Sequence, residues 1–289
     1  MHVDRQYIEA KYFETYYFAN VIRNILHDQS AYIRNLNDFY GDERYLNFLE
    51  PFPKHSAFHS FIEFIVESVF FEDLRNIDLA ELRNEEKRFE CMPETMRPNN
   101  HALPVNRALN YHAIDHRSFD EWLSDNSTSF DDANTDDVYE YFQNLQREGA
   151  IGNLLERVVA ELFFILFSNR GLMRLFNAMM AREIASLTLH EIPDESRDAF
   201  KRDGVFARRH IPTWVQKAVF FRDRGQCVLC KADISGLVCI VNSKNFDHIV
   251  PLSHGGLNDV SNIQLLCASC NNDKRDYNTS TSDVYEAWY

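Results

Sequence analysis

The chain has 289 residues, 45% hydrophobic and 26% charged, a composition that permits a large buried core and excludes a wholly disordered chain. Its formal charge is −14, unevenly placed: residues 204–289 hold nine Lys/Arg against eight Asp/Glu, which leaves 21 against 36 for residues 1–203. A surface that acidic repels phosphate backbones, so residues 1–203 are excluded as a general nucleic-acid-binding surface, while the near-neutral remainder can carry a local basic strip.

The beginning of the chain, rich in acids and aromatics, has no small-residue cleavage site after an apolar run and does not read as a secretory signal, so a cytoplasmic location is expected. Tyr7, Tyr12, Phe13, Tyr16, Tyr17, Val21, Ile25 and Leu26 recur at helical spacing and predict a helix over 4–26. Phe58, Phe61, Ile62, Ile65, Val69 and Phe70 predict a second over 56–73. Pro51, Pro53, Pro93, Pro98 and Pro104 interrupt the pattern. The cluster of His112, Asp115 and His116 has no fourth ligand nearby and is read as solvated rather than metal-binding. Residues 124–137, SDNSTSFDDANTDD, are polar and acidic, which predicts an exposed loop.

Helices over about 151–168 and 172–187, joined by a short turn at 169–171, predict an antiparallel pair. The apolar run from Val158 to Phe167 contains Glu161 and falls well short of the roughly 20 residues of a membrane span. It is expected to be a buried helix, with no membrane insertion. Charges, a proline and a terminal glycine over 190–204 place a domain junction there. The expected organisation is a mostly α, acidic regulatory or partner-binding domain over 1–203 and a small α+β domain over 204–289, with little core of its own.

Four of the six cysteines form two C-x-x-C knuckles, Cys227/Cys230 and Cys267/Cys270, separated by 36 residues. Such a turn offers two thiolates to one ion, and two turns complete a tetrahedron, so a structural Zn²⁺ is expected, ahead of an iron–sulfur centre. Cys91 and Cys239 are expected to be small buried apolar residues. Between the knuckles, 246–250 and 262–266 have strand character around a loop containing Gly255-Gly256. A short helix should follow over 268–276.

The DHIVP segment, the glycine pair, the N-x-Q-x-L-C strand and C-x-x-C-N-x-x-K together resemble the HNH nuclease family with its ββα-metal fold, over about 208–275. The resemblance implies that His248 is the general base, that Asp247 is a ligand of a catalytic Mg²⁺ or Mn²⁺, and that Asn262 pins the loop orienting His248. It implies that Asn271 is the second metal ligand, in a position where many members have His. The chain is thus an H-N-N variant, and an amide and a carboxylate oxygen suit a hard cation better than zinc. The chemistry asks for the same parts: an imidazole near neutral pKa deprotonates water, and a divalent ion stabilises charge on the phosphorus centre and leaving oxygen. Because Asp247 and His248 are adjacent, a twist after the strand must bring them to one side.

Arg208, Arg209, Lys217, Arg222 and Arg224 precede the first knuckle, and Lys274 and Arg275 close the last helix. Arg208, Arg209, Lys217, Arg224, Lys274 and Arg275 are the expected nucleic-acid contacts, Lys274 foremost because it lies one turn after Asn271. The expected activity is endonucleolytic cleavage of DNA, with RNA as an alternative substrate, one site per chain nicking one strand. A zinc-stabilised binding module without catalysis is the competing reading. The architecture resembles HNH effectors of bacterial anti-phage systems such as Zorya or Septu, with a restriction or mobile-element nuclease as the alternative. The acidic region is then expected to bind a protein partner or restrain the nuclease.

Overall fold

The computed structural model describes residues 15–41, 43–89, 102–236, 245–276 and 278–283. The first residues of the helix expected over 4–26 lie outside them, as do Pro93, Pro98, Cys91 and Cys239. In chain order the elements are α1 (Thr15–His27), α2 (Ile33–Tyr40), α3 (Ala57–Arg75), α4 (Leu79–Phe89), α5 (Pro104–Tyr111), α6 (Phe119–Asp125), α7 (Thr135–Arg147), α8 (Ala150–Phe167) and α9 (Arg170–Ser186). There follow β1 (Phe200–Arg202), β2 (Val205–Phe206), α10 (Thr213–Arg222), β3 (Phe246–His248), β4 (Ile263–Leu265) and α11 (Ala268–Lys274). The N-terminal region is mostly helical, and the C-terminal part contains the short antiparallel strands and helix of a ββα unit. Among the described residues no helix is long and apolar enough to cross a membrane.

Contacts divide the chain into one unit of residues 1–20 with 63–162 and another of 21–62 with 163–289. These divisions differ from the expected junction near 203, because α9 and the chain around 52–57 share a unit with the C-terminal strands. In the first unit, helix starts follow from side-chain caps. Ser118 accepts from the Glu121 backbone N–H while the Glu121 carboxylate accepts from the Ser118 N–H. Asn134 and Asp137 repeat the arrangement at α7. The acidic stretch expected as an exposed loop is therefore only partly one: its last residues cap and open α7, and Phe130 and Ala133 inside it are buried. His112 faces Glu161 at 3.8 Å, and the His116 ring pairs with the Ile114 carbonyl at 2.9 Å.

In the second unit α9 begins at Asn169, whose side chain accepts from the Leu172 N–H at 3.0 Å. β1 and β2 form a hairpin that was expected to be an irregular charged junction. Its turn is Asp203-Gly204, with Gly204 at φ +62. β3 and β4 pair antiparallel with Phe246 opposite Leu265, Asp247 opposite Gln264 and His248 opposite Ile263.

Three-residue strands bury little by themselves. Phe246, Ile263 and Leu265 instead join Val215 and Val219 of α10, together with Ile211 and Phe52, with Phe163 and Phe167 packed alongside. Each such side chain contributes about 1.5–3 kcal/mol on burial. The strand pair thus shares a core with residues on both sides of the expected junction.

Candidate active site and metal centre

The first knuckle is a tight turn: the Lys231 N–H donates to the Cys227 carbonyl and the Cys227 N–H to that of Ala232, both at 2.9 Å. A further bond from the Val228 N–H to the Leu265 carbonyl, 3.0 Å, fixes the knuckle to β4. The second knuckle opens α11, with the Cys270 N–H donating to Cys267 Sγ at 3.4 Å. One Sγ from each of Cys227, Cys230, Cys267 and Cys270 lies within 4.8 Å of the other three. Cys230 and Cys267 are 3.7 Å apart. A tetrahedron with Zn–S of about 2.3 Å has an edge of about 3.8 Å, so the four sulfurs fit one zinc ion.

The thiols also need a cation. Cys270 is pushed up by burial and by the neighbouring sulfurs. Burial raises Cys227 too, but backbone N–H groups at Cys230, Cys267 and Leu229 outweigh it and bring that thiol down to about 7. Four sulfurs so close ionise together only around a metal.

Asp247 and His248 end β3, where the chain bends, and both line a cleft of about 720 Å³ together with Asn271 of α11. The three residues singled out from the sequence thus line one cleft. Asn262 sits fully buried just before β4. Its Oδ1 accepts from the Val250 N–H at 2.8 Å, and its Nδ2 donates to the carbonyls of Val250 at 3.0 Å and Leu257 at 2.9 Å. Those bonds span both ends of the loop that follows His248. The glycine pair closes the loop against its own backbone and α9: a Cβ on Gly256 would lie 2.0 Å from the Val250 carbonyl oxygen, and one on Gly255 2.4 Å from that of Ala181.

His248 is buried, and among the described residues its Nε2 has no hydrogen-bond partner. Burial and the nearby Arg208 and Lys274 cations hold the imidazole down to about 3, with Asn258 pulling the other way. It is neutral at pH 7, as a proton acceptor must be, but far below the near-neutral value expected from its type. Asp259 anchors the loop from behind: its carboxylate accepts from the Ser261 N–H and Oγ at 2.9 and 2.7 Å and from the Ala57 N–H at 2.8 Å. Burial raises its pKa despite those bonds.

Residues 227–276 match the HNH endonuclease model. No curated protein and no solved structure matches the chain. The matched part is an HNH domain, and Asn271 lies within it.

The expected basic contacts separate on inspection. Arg208 and Arg275 line the cleft of the HNH domain, and Arg208 and Arg209 line a second cleft of about 820 Å³ that shares Asn271. Arg209 also pairs with Asp198 at 3.5 Å. Lys217 and Arg224 are exposed but line neither cleft. Arg222 is buried, bound to Asp223 at 2.8 and 2.9 Å and to the Ile263 carbonyl at 2.6 Å. Asp223 in turn accepts from the Leu265 N–H, so this pair fastens α10 to β4.

Lys274 departs most from expectation. Its side chain is 1% exposed, and its ammonium lies 2.8 Å from Asp247 Oδ2 and 2.7 Å from the His248 carbonyl. In this arrangement it holds the Asp-His pair from below instead of facing a phosphate in solvent. Asp247 Oδ2 also meets Gln264 Nε2 at 3.4 Å. Sequence reasoning missed Lys201 and Arg202 at the mouth of the cleft. The signal that would have found them is the Asp203-Gly204 turn between an aromatic-bearing pair of strands.

Proposed function

We propose that the protein is a metal-dependent endonuclease that hydrolyses DNA phosphodiester bonds through one site per chain. The observation that carries this reading is the convergence of Asp247, His248 and Asn271 on a single cleft, with Asn262 bracing the loop between the strands. Asp247 and Asn271 offer oxygen ligands suited to Mg²⁺ or Mn²⁺. Such an ion, when bound, supplies positive charge to the phosphorus centre and the departing oxygen.

His248 Nε2 takes a proton from the attacking water as its oxygen bonds to phosphorus. The bond from phosphorus to the 3′ oxygen breaks, and that oxygen is protonated from solvent. An anionic phosphate entering the cleft raises the imidazole from its low value toward the range where it accepts a proton effectively. Asn262 prevents the loop from relaxing, which fixes the backbone that carries His248.

A single site cuts one strand, so a monomer nicks. The effector role in anti-phage defence, with a protein partner or self-restraint through residues 1–203, belongs to the same proposal; the excess of negative charge over those residues supports a task for them other than binding nucleic acid. Supercoiled plasmid incubated with Mg²⁺ or Mn²⁺ should be converted to open circles by the wild type. His248→Ala should reduce the rate by at least about 100-fold, and equal conversion by the two proteins would reject the mechanism.

A further inference from the structure

The β1–β2 hairpin lies outside the residues matched to the HNH model, yet Lys201 and Arg202 line the same cleft as Asp247, His248 and Asn271. Both side chains are exposed. With Arg208 and Arg275 they bring four cationic residues to a cleft that has two acids, Asp247 and Asp276, in a chain of net charge −14. A local reversal of charge on an acidic protein marks where an anion is received.

The hairpin that carries the two cations is also held rigidly. Phe200 and Phe206 stack across it with ring centroids 4.6 Å apart. A Cβ on Gly204 would lie 2.6 Å from the Ala185 carbonyl oxygen, so the turn rests on the backbone just inside the end of α9. Asp203 accepts from the Leu189 N–H at 2.8 Å. The Ala207 carbonyl accepts from Asn258 Nδ2 at 2.9 Å, and β2 packs against residues 252–254 of the catalytic loop. Lys201 and Arg202 are therefore mounted on an element fixed to the loop that orients His248. A preorganised cation binds an anion with less loss of conformational freedom than one on a flexible tail.

We propose that this hairpin is a phosphate clamp: Lys201 and Arg202 hold a backbone phosphate of the substrate strand adjacent to the one attacked. The clamp rests on the nuclease reading and assigns it a binding element that the matched domain does not contain. Its ligand is the polynucleotide backbone, independent of base sequence, so its contribution must weaken with salt.

Binding of fluorescein-labelled duplex and single-stranded DNA to the full chain tests this by anisotropy, in the His248→Ala background without added Mg²⁺ or Mn²⁺. Salt is varied between about 50 and 200 mM. Each lost phosphate contact lowers the slope of log affinity against log salt by about 0.9 for duplex or 0.7 for a single strand. Because both side chains serve one phosphate, combining Lys201→Ala with Arg202→Ala should lower the slope by about 0.9 or 0.7, and affinity at low salt by about tenfold or more. The charge-matched pair Arg34→Ala with Arg147→Ala, outside the cleft, should leave the slope unchanged.

Equal losses in the two pairs, no loss in the hairpin pair, or no DNA binding by the parent would each overturn the clamp. Plasmid cleavage by the wild type is scored separately. A clamp that fails with cleavage intact leaves the nuclease reading standing, and a clamp that holds without cleavage leaves a binding protein.

Discussion

The Lys274 ammonium, almost fully buried and 2.8 Å from Asp247 Oδ2, takes its place only because a carboxylate and a carbonyl receive it. Removing one member of such a buried pair strands the other's charge and costs about 3–5 kcal/mol. Asp247 keeps some access to water, so Lys274→Met should lower unfolding stability by about 3 kcal/mol. Adding Asp247→Asn to Lys274→Met should recover part of that loss, because the stranded charge is gone. Thermal or denaturant unfolding of the two single variants and the double variant measures the coupling, and strictly additive losses would contradict it. The same contact leaves Asp247 Oδ1 as the oxygen not engaged by Lys274 or Gln264, which suits the proposed role of this carboxylate as a cation ligand.

Among the elements, the two knuckles and the strand pair have few means of holding their shape. β3 and β4 have three residues each, and the apolar cluster around the sulfurs consists of Cys227, Val228 and Leu266 with a few partly buried neighbours. An ion joining the knuckles would therefore carry much of the local stability. We expect one zinc per chain by elemental analysis. Chelation should expose the four thiols to a thiol reagent and lower the unfolding midpoint by about 10 °C. An unchanged midpoint after confirmed removal of the metal would show that the shared apolar core suffices.

Across the whole molecule, acid acts through buried imidazoles. His59 stacks on Phe163 with ring centroids 3.6 Å apart, and its Nδ1 accepts from the Ser56 N–H at 3.1 Å. Burial, reinforced by His55, lowers it to about 4 from 6.5. The unfolded chain thus takes up a proton at pH values where the folded one does not. Stability present above pH 6.5 is lost as pH falls toward 4. His248, lowered to about 3, adds to the same trend. His59→Gln should flatten the fall between pH 7 and 5 by on the order of 1 kcal/mol, allowing for partial contact with water. Unfolding curves at pH 5, 6 and 7 measure it, and an unaltered slope would exclude His59 as a source.

What the sequence revealed of this architecture follows the range of each interaction. The cysteine knuckles can be read from spacing and the glycine loop from composition, while the Asp-His pair and Asn262 were singled out through the resemblance to the HNH family. Helices α3, α8 and α9 were likewise legible from apolar periodicity. Lys274 was misplaced because helical spacing sets it one turn from Asn271 without revealing that β3 lies against that turn. The unit boundaries were not legible either, since the Ala57 N–H reaches an acceptor 202 residues away at Asp259. Acidic composition suggested a loop over 124–137, although a capping box uses the same acids to begin a helix.

The glycine pair has a practical corollary. Because the loop beside His248 rests against the Ala181 carbonyl, and Asn177 Nδ2 reaches Ser261 Oγ at 3.1 Å, that loop is supported by a helix upstream of everything the family model recognises. A minimal fragment trimmed to the signature would lose that support, and a chimera that transplanted the signature would need a host helix with the same bare backbone against the loop. The smallest portable piece that keeps this loop in place is discontinuous in sequence.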